Sequence, residues 1–301
     1  MKKFAQALVF YLTLPSIFII SILPWPILFL VSDFFFVIIY YIMAYRRKIV
    51  RTNLSNSFPE KSVKELKDIE FRFYRFFIDL TFETFKLFTL SSRQRYLHGK
   101  MDEGALALFA DLYSKQKSIV MIMGHYGNWE YCPWGSPLHP AYQTYAIFHP
   151  LSSPFFNQWM LRFRTNTGCK LYPMAGTLKG MLANRHELNA TLFISDQAPN
   201  PNGAAWLQFL NQETPVYTGP EKIAQKLNMA VVYGSMQRVK RGNYIFRVQL
   251  ICEDASKTAT GEITETHTRL LENDIQNVPE YWLWTHRRWK HKRPQRQINE
   301  G

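Results

Sequence analysis

Cysteine is scarce: Cys132, Cys169 and Cys252 are the only three in a chain of 301 residues, and no C-x-x-C pair occurs. That excludes a disulfide framework and the common zinc-ligand spacings, and marks the three as reduced, ordinary residues in or facing a cytoplasmic compartment. H-E-x-x-H is missing too, which closes the usual zinc-hydrolase route. There is no G-x-S-x-G elbow, since Ser235 has Tyr233 and Gln237 where the glycines would stand, so a serine hydrolase is disfavoured. Acids are few beside bases, 23 Asp+Glu against 36 Lys+Arg, leaving a formal net charge of +13 that points to an acidic partner.

Charge of either sign is absent from Phe4 to Ser32, and beyond the single Asp33 the apolar character resumes through Tyr45. About 20 apolar residues cross a bilayer, so this stretch holds one long helix or two short ones. Pro15, Pro24 and Pro26 interrupt it, favouring kinks or a re-entrant hairpin over a straight rod. The run is longer than the apolar core of a signal peptide, and Tyr45-Arg46-Arg47-Lys48 follows where a small-residue cleavage site would be. The expectation is a retained membrane anchor over residues 1–48 and one domain over 49–301. Lys2 and Lys3 precede the run while Arg46, Arg47, Lys48 and Arg51 follow it, which places the body of the protein on the cytoplasmic side.

What the chain does have is ample material for a core: 47% hydrophobic and 16% aromatic residues exclude disorder. Residues 64–90 read as a long helix with Phe71, Tyr74, Phe77, Phe82 and Phe85 near helical spacing, a core or membrane-facing stripe in preference to a cofactor site. Strands are expected at 119–123, 144–148, 171–172 and 191–195, and helices at 155–166, 177–188, 219–227 and 262–277. Two apolar runs, 230–236 and 244–251, meet at Arg241-Gly242-Asn243, a hairpin signal. The alternation indicates an α/β fold, a mixed central sheet flanked by helices behind an N-terminal hydrophobic anchor.

The run from Ser118 to Met123 opens into Gly124-His125-Tyr126-Gly127-Asn128-Trp129-Glu130, an H-x4-E motif in a tight loop. Gly124 and Gly127 allow unusual backbone angles and close approach to a ligand, and Asn128 suits the cap of a helix starting near Trp129. A histidine paired with a carboxylate keeps one tautomer and takes a proton from an attacking hydroxyl. Given an activated donor, that chemistry is acyl transfer to an alcohol with no protein nucleophile. The plain reading of so short a motif is a loop histidine and an acid that serves the helix dipole. Asp196 and Gln197 follow strand 191–195, whose end can bring them to the rim that carries His125, though Asp196 as the cap of the next turn fits equally well. Arg164 suits a phosphate, or a salt bridge.

These residues have company along the whole chain. Arg46-Arg47 with Asn53-Leu54 and Phe58-Pro59-Glu60, Gly124 to Glu130, Leu161-Arg162-Phe163-Arg164 with Gly168, Ser195-Asp196-Gln197, Thr218-Gly219, and Pro279 to Lys290 together resemble the bacterial lipid A biosynthesis acyltransferases, the lauroyl/myristoyl branch of the lysophospholipid acyltransferase superfamily. Gly203 to Tyr217 is only loosely similar. The resemblance implies a protein of the bacterial inner membrane with its catalytic domain facing the cytoplasm. Its donor would be an acyl carrier protein thioester or acyl-CoA, and its acceptor a lipid A precursor whose 3-hydroxyacyl chain receives a secondary fatty acid. In that scheme His125, oriented by Glu130, is the general base. Arg164 holds a phosphate, Asp196 and Gln197 lie near the substrate, and backbone amides at Gly127, Asn128 and Trp129 stabilise the oxyanion. No cofactor or metal is called for, the acyl thioester being a co-substrate. Relatives acting on another lipid, such as a phosphatidylinositol mannoside or an aminoacyl lipid, and a non-catalytic membrane-binding protein are the alternatives. An apolar groove must cover the acyl chain, at ~0.8 kcal/mol per buried methylene, with Trp129, Trp134 and Phe148 as candidate lining.

The charge excess gathers at the C-terminal end. Thr285 to Arg296 carries Arg287, Arg288, Lys290, Lys292, Arg293 and Arg296 and no acid, with Trp289 among them and Trp284 just ahead. Such a tail fits nucleic acid in a soluble protein. Beside an apolar anchor it fits an anionic membrane surface better, and no nucleic acid is expected. A solvated tail is the plain alternative.

Overall fold

The computed structural model describes residues 2–132 and 142–294. Trp134 and Arg296, named above, lie outside the described residues. The sheet is built outward from its most apolar segment, β2 (Ile119–Met123), in which every residue is buried. Such a run suits a strand covered on both faces. It pairs in parallel with β5 (Asn189–Ile194) on one side and β8 (Ala230–Lys240) on the other. β3 (Gln143–Phe148) and β4 (Lys170–Pro173) extend the parallel side. β9 (Asn243–Cys252) returns antiparallel to β8 through the expected hairpin, and β1 (Gly99–Met101) pairs with it at the far edge. The order is β1-β9-β8-β2-β5-β3-β4, seven strands with one antiparallel junction, the mixed α/β sheet expected.

Helices flank it. α4 (Val63–Lys86) starts at a capping box in which Ser62 and Glu65 exchange bonds, and α7 (Pro154–Thr165), α9 (Gly219–Leu227) and α10 (Glu262–Asn277) match their patterns closely. α8 spans only Thr177–Ala183, shorter than expected. Asn184 Nδ2 donates to the Tyr172 hydroxyl at 2.7 Å, and Asn189 Nδ2 to the Glu187 carbonyl at 3.0 Å; these side-chain bonds hold a turn where the helix would have continued. A separate antiparallel hairpin, β6 (Ala205–Phe209) and β7 (Gln212–Val216), fills the stretch that was only loosely similar. Its turn places Leu210 and Asn211 at φ 49° and 61°, positions where Asn-Gly is the usual signal, so the pattern concealed it.

The apolar N-terminus forms two helices, α1 (Lys2–Ile22) and α2 (Trp25–Val37), the second prolonged by a π-helical turn over Ile38–Ile42. The chain breaks at Leu23-Pro24, while Pro15 is carried inside α1. Both helices are long and apolar enough to cross a membrane, yet they differ in what they touch. α1 leaves Phe4, Leu8, Tyr11, Leu12, Phe18 and Ile22 exposed. α2 and its π-helical turn send Leu28, Phe36 and Tyr40 into a core cluster with Phe73, Tyr74, Ile78 and Phe82 of α4. Its lone charge, Asp33, meets Arg241 at 2.8 Å, and the neighbouring Ser32 donates to Asp79 at 2.8 Å.

The C-terminal segment corrects one expectation. Trp282, Trp284 and Arg288 are buried; the Trp284 indole donates to the Pro279 carbonyl at 2.6 Å and Arg288 Nη2 to the Pro215 carbonyl at 2.7 Å. Trp284 and Arg288 therefore belong to the core and offer nothing to a lipid surface. Arg287, Lys290, Lys292 and Arg293 stay exposed.

Candidate active site

Parallel pairing sets the site. Met123 of β2 lies opposite Ile194 of β5, and the ladder runs one bond further, from the Ser195 amide to the Met123 carbonyl at 3.0 Å. The offset of 71 that pairs Ile119 with Ala190 also joins His125 to Asp196 just past the strand ends. There the His125 amide donates to Asp196 Oδ2 at 2.9 Å and His125 Nδ1 to Asp196 Oδ1 at 2.6 Å. The Trp282 indole donates to Oδ2 at 2.8 Å, so both carboxylate oxygens are engaged.

The carboxylate on Nδ1 is thus Asp196, where Glu130 was the acid expected to orient the ring. The physical reason is the register: the strand end delivers Asp196 beside the ring, whereas Glu130 sits in the turn that starts at Asn128. With Nδ1 as donor, Nε2 is the acceptor, and Gln197 Nε2 stands 3.4 Å from it. The Trp129 ring meets the imidazole edge-on at 4.8 Å. Burial alone would raise the Asp196 pKa, but His125 and the donated bonds hold it at about 2. Burial works against a charged His125, yet the Asp196 carboxylate and, more distantly, the Glu130 charge lift its pKa above the ordinary value.

Glu130 is also joined to Arg164, whose Nη2 donates to Oε1 at 3.4 Å. The two stand partly buried, at 24% and 15% side-chain exposure for Arg164 and Glu130. α7, which carries Arg164, thereby closes on the H-x4-E loop.

The glycines shape that loop. A Cβ on Gly127 would fall 1.9 Å from the Met236 carbonyl oxygen, and its φ is 61°; on Gly124 it would meet Leu271 at 2.6 Å. The Gly127 amide donates to the Tyr281 carbonyl at 3.0 Å, so it does not serve an oxyanion. Gly127→Ala is expected to abolish activity and lower the melting temperature by several degrees, because both the backbone angle and the space forbid a methyl. Activity and thermal melting of the variant check this.

Asn128 does not cap the following turn with its side chain. That side chain is buried, and its Nδ2 donates to Glu83 of α4 at 2.9 Å. The turn begins with Tyr131 N to Asn128 O at 3.1 Å and Cys132 N to Trp129 O at 3.2 Å, which leaves the amides of Asn128 and Trp129 at its start. Behind the dyad, Asp196, His267 and Arg288 line a cavity of about 10 Å³, room for about one water. Burial drives His267 and the nearby His286 down to about 4, so both are neutral. Trp282 on Asp196, and Tyr281 and Glu83 on the loop backbone and Asn128, were not expected as supports of the site, and no local signal marks them. They reach the loop from distant parts of the chain.

Two apolar grooves of about 610 Å³ each lie along α1. One is bounded by Ile17, Phe85 and Trp159, the other by Phe18, Phe88 and Phe163, with Arg162 at its border. Phe148 instead lines a hollow of about 580 Å³ beside β4. Trp129 packs partly buried against the main core. Among the described residues no three His, Cys, Asp or Glu side chains come together as a metal site.

No curated protein shows significant similarity to the chain. The family model for bacterial lipid A biosynthesis acyltransferases matches residues 2–291, from α1 through the buried tryptophans of the C-terminal segment. With nearly the whole length covered, the chain belongs to the bacterial lipid A biosynthesis acyltransferases.

Proposed function

We propose that this protein is an O-acyltransferase that moves a fatty acyl chain from an acyl carrier protein thioester, or acyl-CoA, to a hydroxyl of a lipid A precursor, with His125 as general base. The observation that carries this reading is the Nδ1 contact with Asp196 at 2.6 Å, which leaves Nε2, with the Gln197 amide 3.4 Å away, as the nitrogen that accepts a proton. Nε2 takes the proton of the lipid hydroxyl as its oxygen attacks the thioester carbonyl. The tetrahedral oxyanion forms near the amides of Asn128 and Trp129 at the start of the turn. Its collapse breaks the carbon–sulfur bond, and the leaving thiolate takes the proton back from the imidazolium. General-base help of this kind supplies about 10²–10⁴-fold in rate. The grooves along α1 would cover the acyl chains, Arg164 would hold a phosphate, and Gln197 would steady the attacking group.

Mass spectrometry of lipid A from cells with and without the gene tests the acceptor. Loss of one secondary acyl chain is expected, and unchanged lipid A would move the reading to another lipid.

The base must be neutral to work, and its pKa lies above the ordinary ~6.5 of imidazole. Below that pKa His125 is protonated, so kcat/KM falls as pH falls. The acid limb of the profile is therefore expected above pH ~6.5, and a limb well below it would assign the base elsewhere.

Attachment to the inner membrane, with the domain on the cytoplasmic face, rests on α1 in this proposal. Deleting residues 1–22 is expected to weaken vesicle binding while the domain still melts cooperatively. Deleting residues 1–45 also removes Leu28, Phe36 and Tyr40 from the core, and large buried side chains are worth about 2–5 kcal/mol each. That protein is expected not to fold. Flotation with vesicles and thermal melting of the two truncations separate anchor from core.

A further inference from the structure

Two buried acceptors without a donor sit on the two partners of one hydrogen bond. Asn128 Nδ2 donates to Glu83 Oε2 at 2.9 Å, and the Tyr244 hydroxyl donates to the same oxygen at 2.7 Å. The remaining oxygens of the pair, Glu83 Oε1 and Asn128 Oδ1, are buried with no hydrogen-bond partner. Were Glu83 ionised, both would be acceptors with nothing to accept. A carboxyl group presents a donor beside an acceptor only when it carries a proton, and then it matches a primary amide bond for bond.

We propose that Glu83 is protonated on Oε1 at neutral pH and forms a neutral acid–amide latch with Asn128, which makes Glu83 a positioning residue for the H-x4-E loop. The latch fixes the loop between His125 and Glu130, so its catalytic consequence rests on the acyltransferase reading.

The surroundings agree. Glu83 and Asn128 are both fully buried, and burial pushes the Glu83 carboxyl upward, against the Tyr244 bond and the Arg238 charge. The nearby ion cluster is paired without a direct ion pair to Glu83. Arg238 pairs with Asp79 at 2.9 Å, and Arg241 pairs with Asp79 at 2.6 Å and Asp33 at 2.8 Å. Arg75, half exposed, also reaches Asp33 at 3.4 Å, so Asp79 and Asp33 have their own guanidinium partners, and Asp79 adds a negative field that disfavours a further anion. Tyr131 also faces Glu83. Arg95 of α5 (Ser92–His98) faces Tyr131 and lies over the Phe163 ring at 5.2 Å.

Infrared spectroscopy of the purified full chain near neutral pH, wild type minus Glu83→Gln, reads the proton directly. A protonated-carboxyl carbonyl band is expected in the wild type and absent from the variant. Glutamine offers the same donor and acceptor pattern, so Glu83→Gln is expected to hold turnover within about twofold. Glu83→Ala leaves Asn128 and Tyr244 without an acceptor and frees the loop, at about 10²-fold in turnover. Absence of the band, or a Glu83→Gln variant as impaired as Glu83→Ala, overturns the proposal. The band needs no substrate, so it decides the protonation even if the acyltransferase reading fails.

Discussion

Changing Asp196 to asparagine will lower turnover by about 10³–10⁴-fold, close to the loss in His125→Ala, and the double variant will be no slower than the worse single one. Asp196 Oδ2 accepts from two donors, the His125 amide and the Trp282 indole, while Oδ1 accepts from His125 Nδ1. An asparagine amide placed at Oδ2 would face two donors with a third. Turned the other way, it would donate to Nδ1, drive the proton to Nε2 and remove the base. Neither orientation preserves both the loop and the tautomer. Steady-state kinetics of the three variants, with melting curves to confirm folding, supply the measurement. An Asp196→Asn enzyme with near-normal kcat would return the orienting role to Glu130.

That prediction shows what a single sequence can and cannot say about the site. Strand 119–123 and the glycine-bounded loop after it were legible because an unbroken apolar run and two glycines are local signals. His125 was legible for the same reason. Which carboxylate holds it was not, because that depends on a register between strands separated by 71 positions. Glu130 was near in sequence and Asp196 near in space. Seen alone, Asp196 after strand 191–195 was as good a turn cap as a site residue.

The basic, tryptophan-rich C-terminal segment misled for a related reason. Arg beside Trp has the same composition at a lipid interface and in a core where indoles and guanidinium groups find carbonyl partners. Trp284 and Arg288 find theirs at Pro279 and Pro215. In the apolar N-terminal helices, by contrast, the lone Asp33 carried a message that hydropathy alone passes over. A charge in an apolar helix needs a partner, and Arg241 supplies it from 208 positions away. The two helices alike in hydropathy both leave much of their surface exposed, but α2 is in addition fastened to the domain through Asp33 and Leu28.

Arg164 carries the second large expected effect. Its guanidinium already donates to Glu130 at 3.4 Å, yet a planar fork with five donors can hold a carboxylate on one edge and a phosphate on the other. If it does both, Arg164→Ala loses charge-assisted bonds worth about 1.5–3 kcal/mol each, and kcat/KM drops by about 10²–10³-fold. An ammonium cannot span two partners, so Arg164→Lys is expected to recover less than a tenth of that loss. Were Arg164 only the counter-ion of Glu130, lysine would restore most activity, since a point charge satisfies one carboxylate. Glu130→Gln divides the roles further. It breaks the ion pair and removes the charge that helps lift the His125 pKa, so it is expected to shift the acid limb of the pH profile downward. Arg164→Lys, which keeps the positive charge, should move that limb little and act on KM for the phosphorylated acceptor. Full activity in Arg164→Lys, with an unshifted limb in Glu130→Gln, would assign both residues to structure and leave the phosphate site elsewhere.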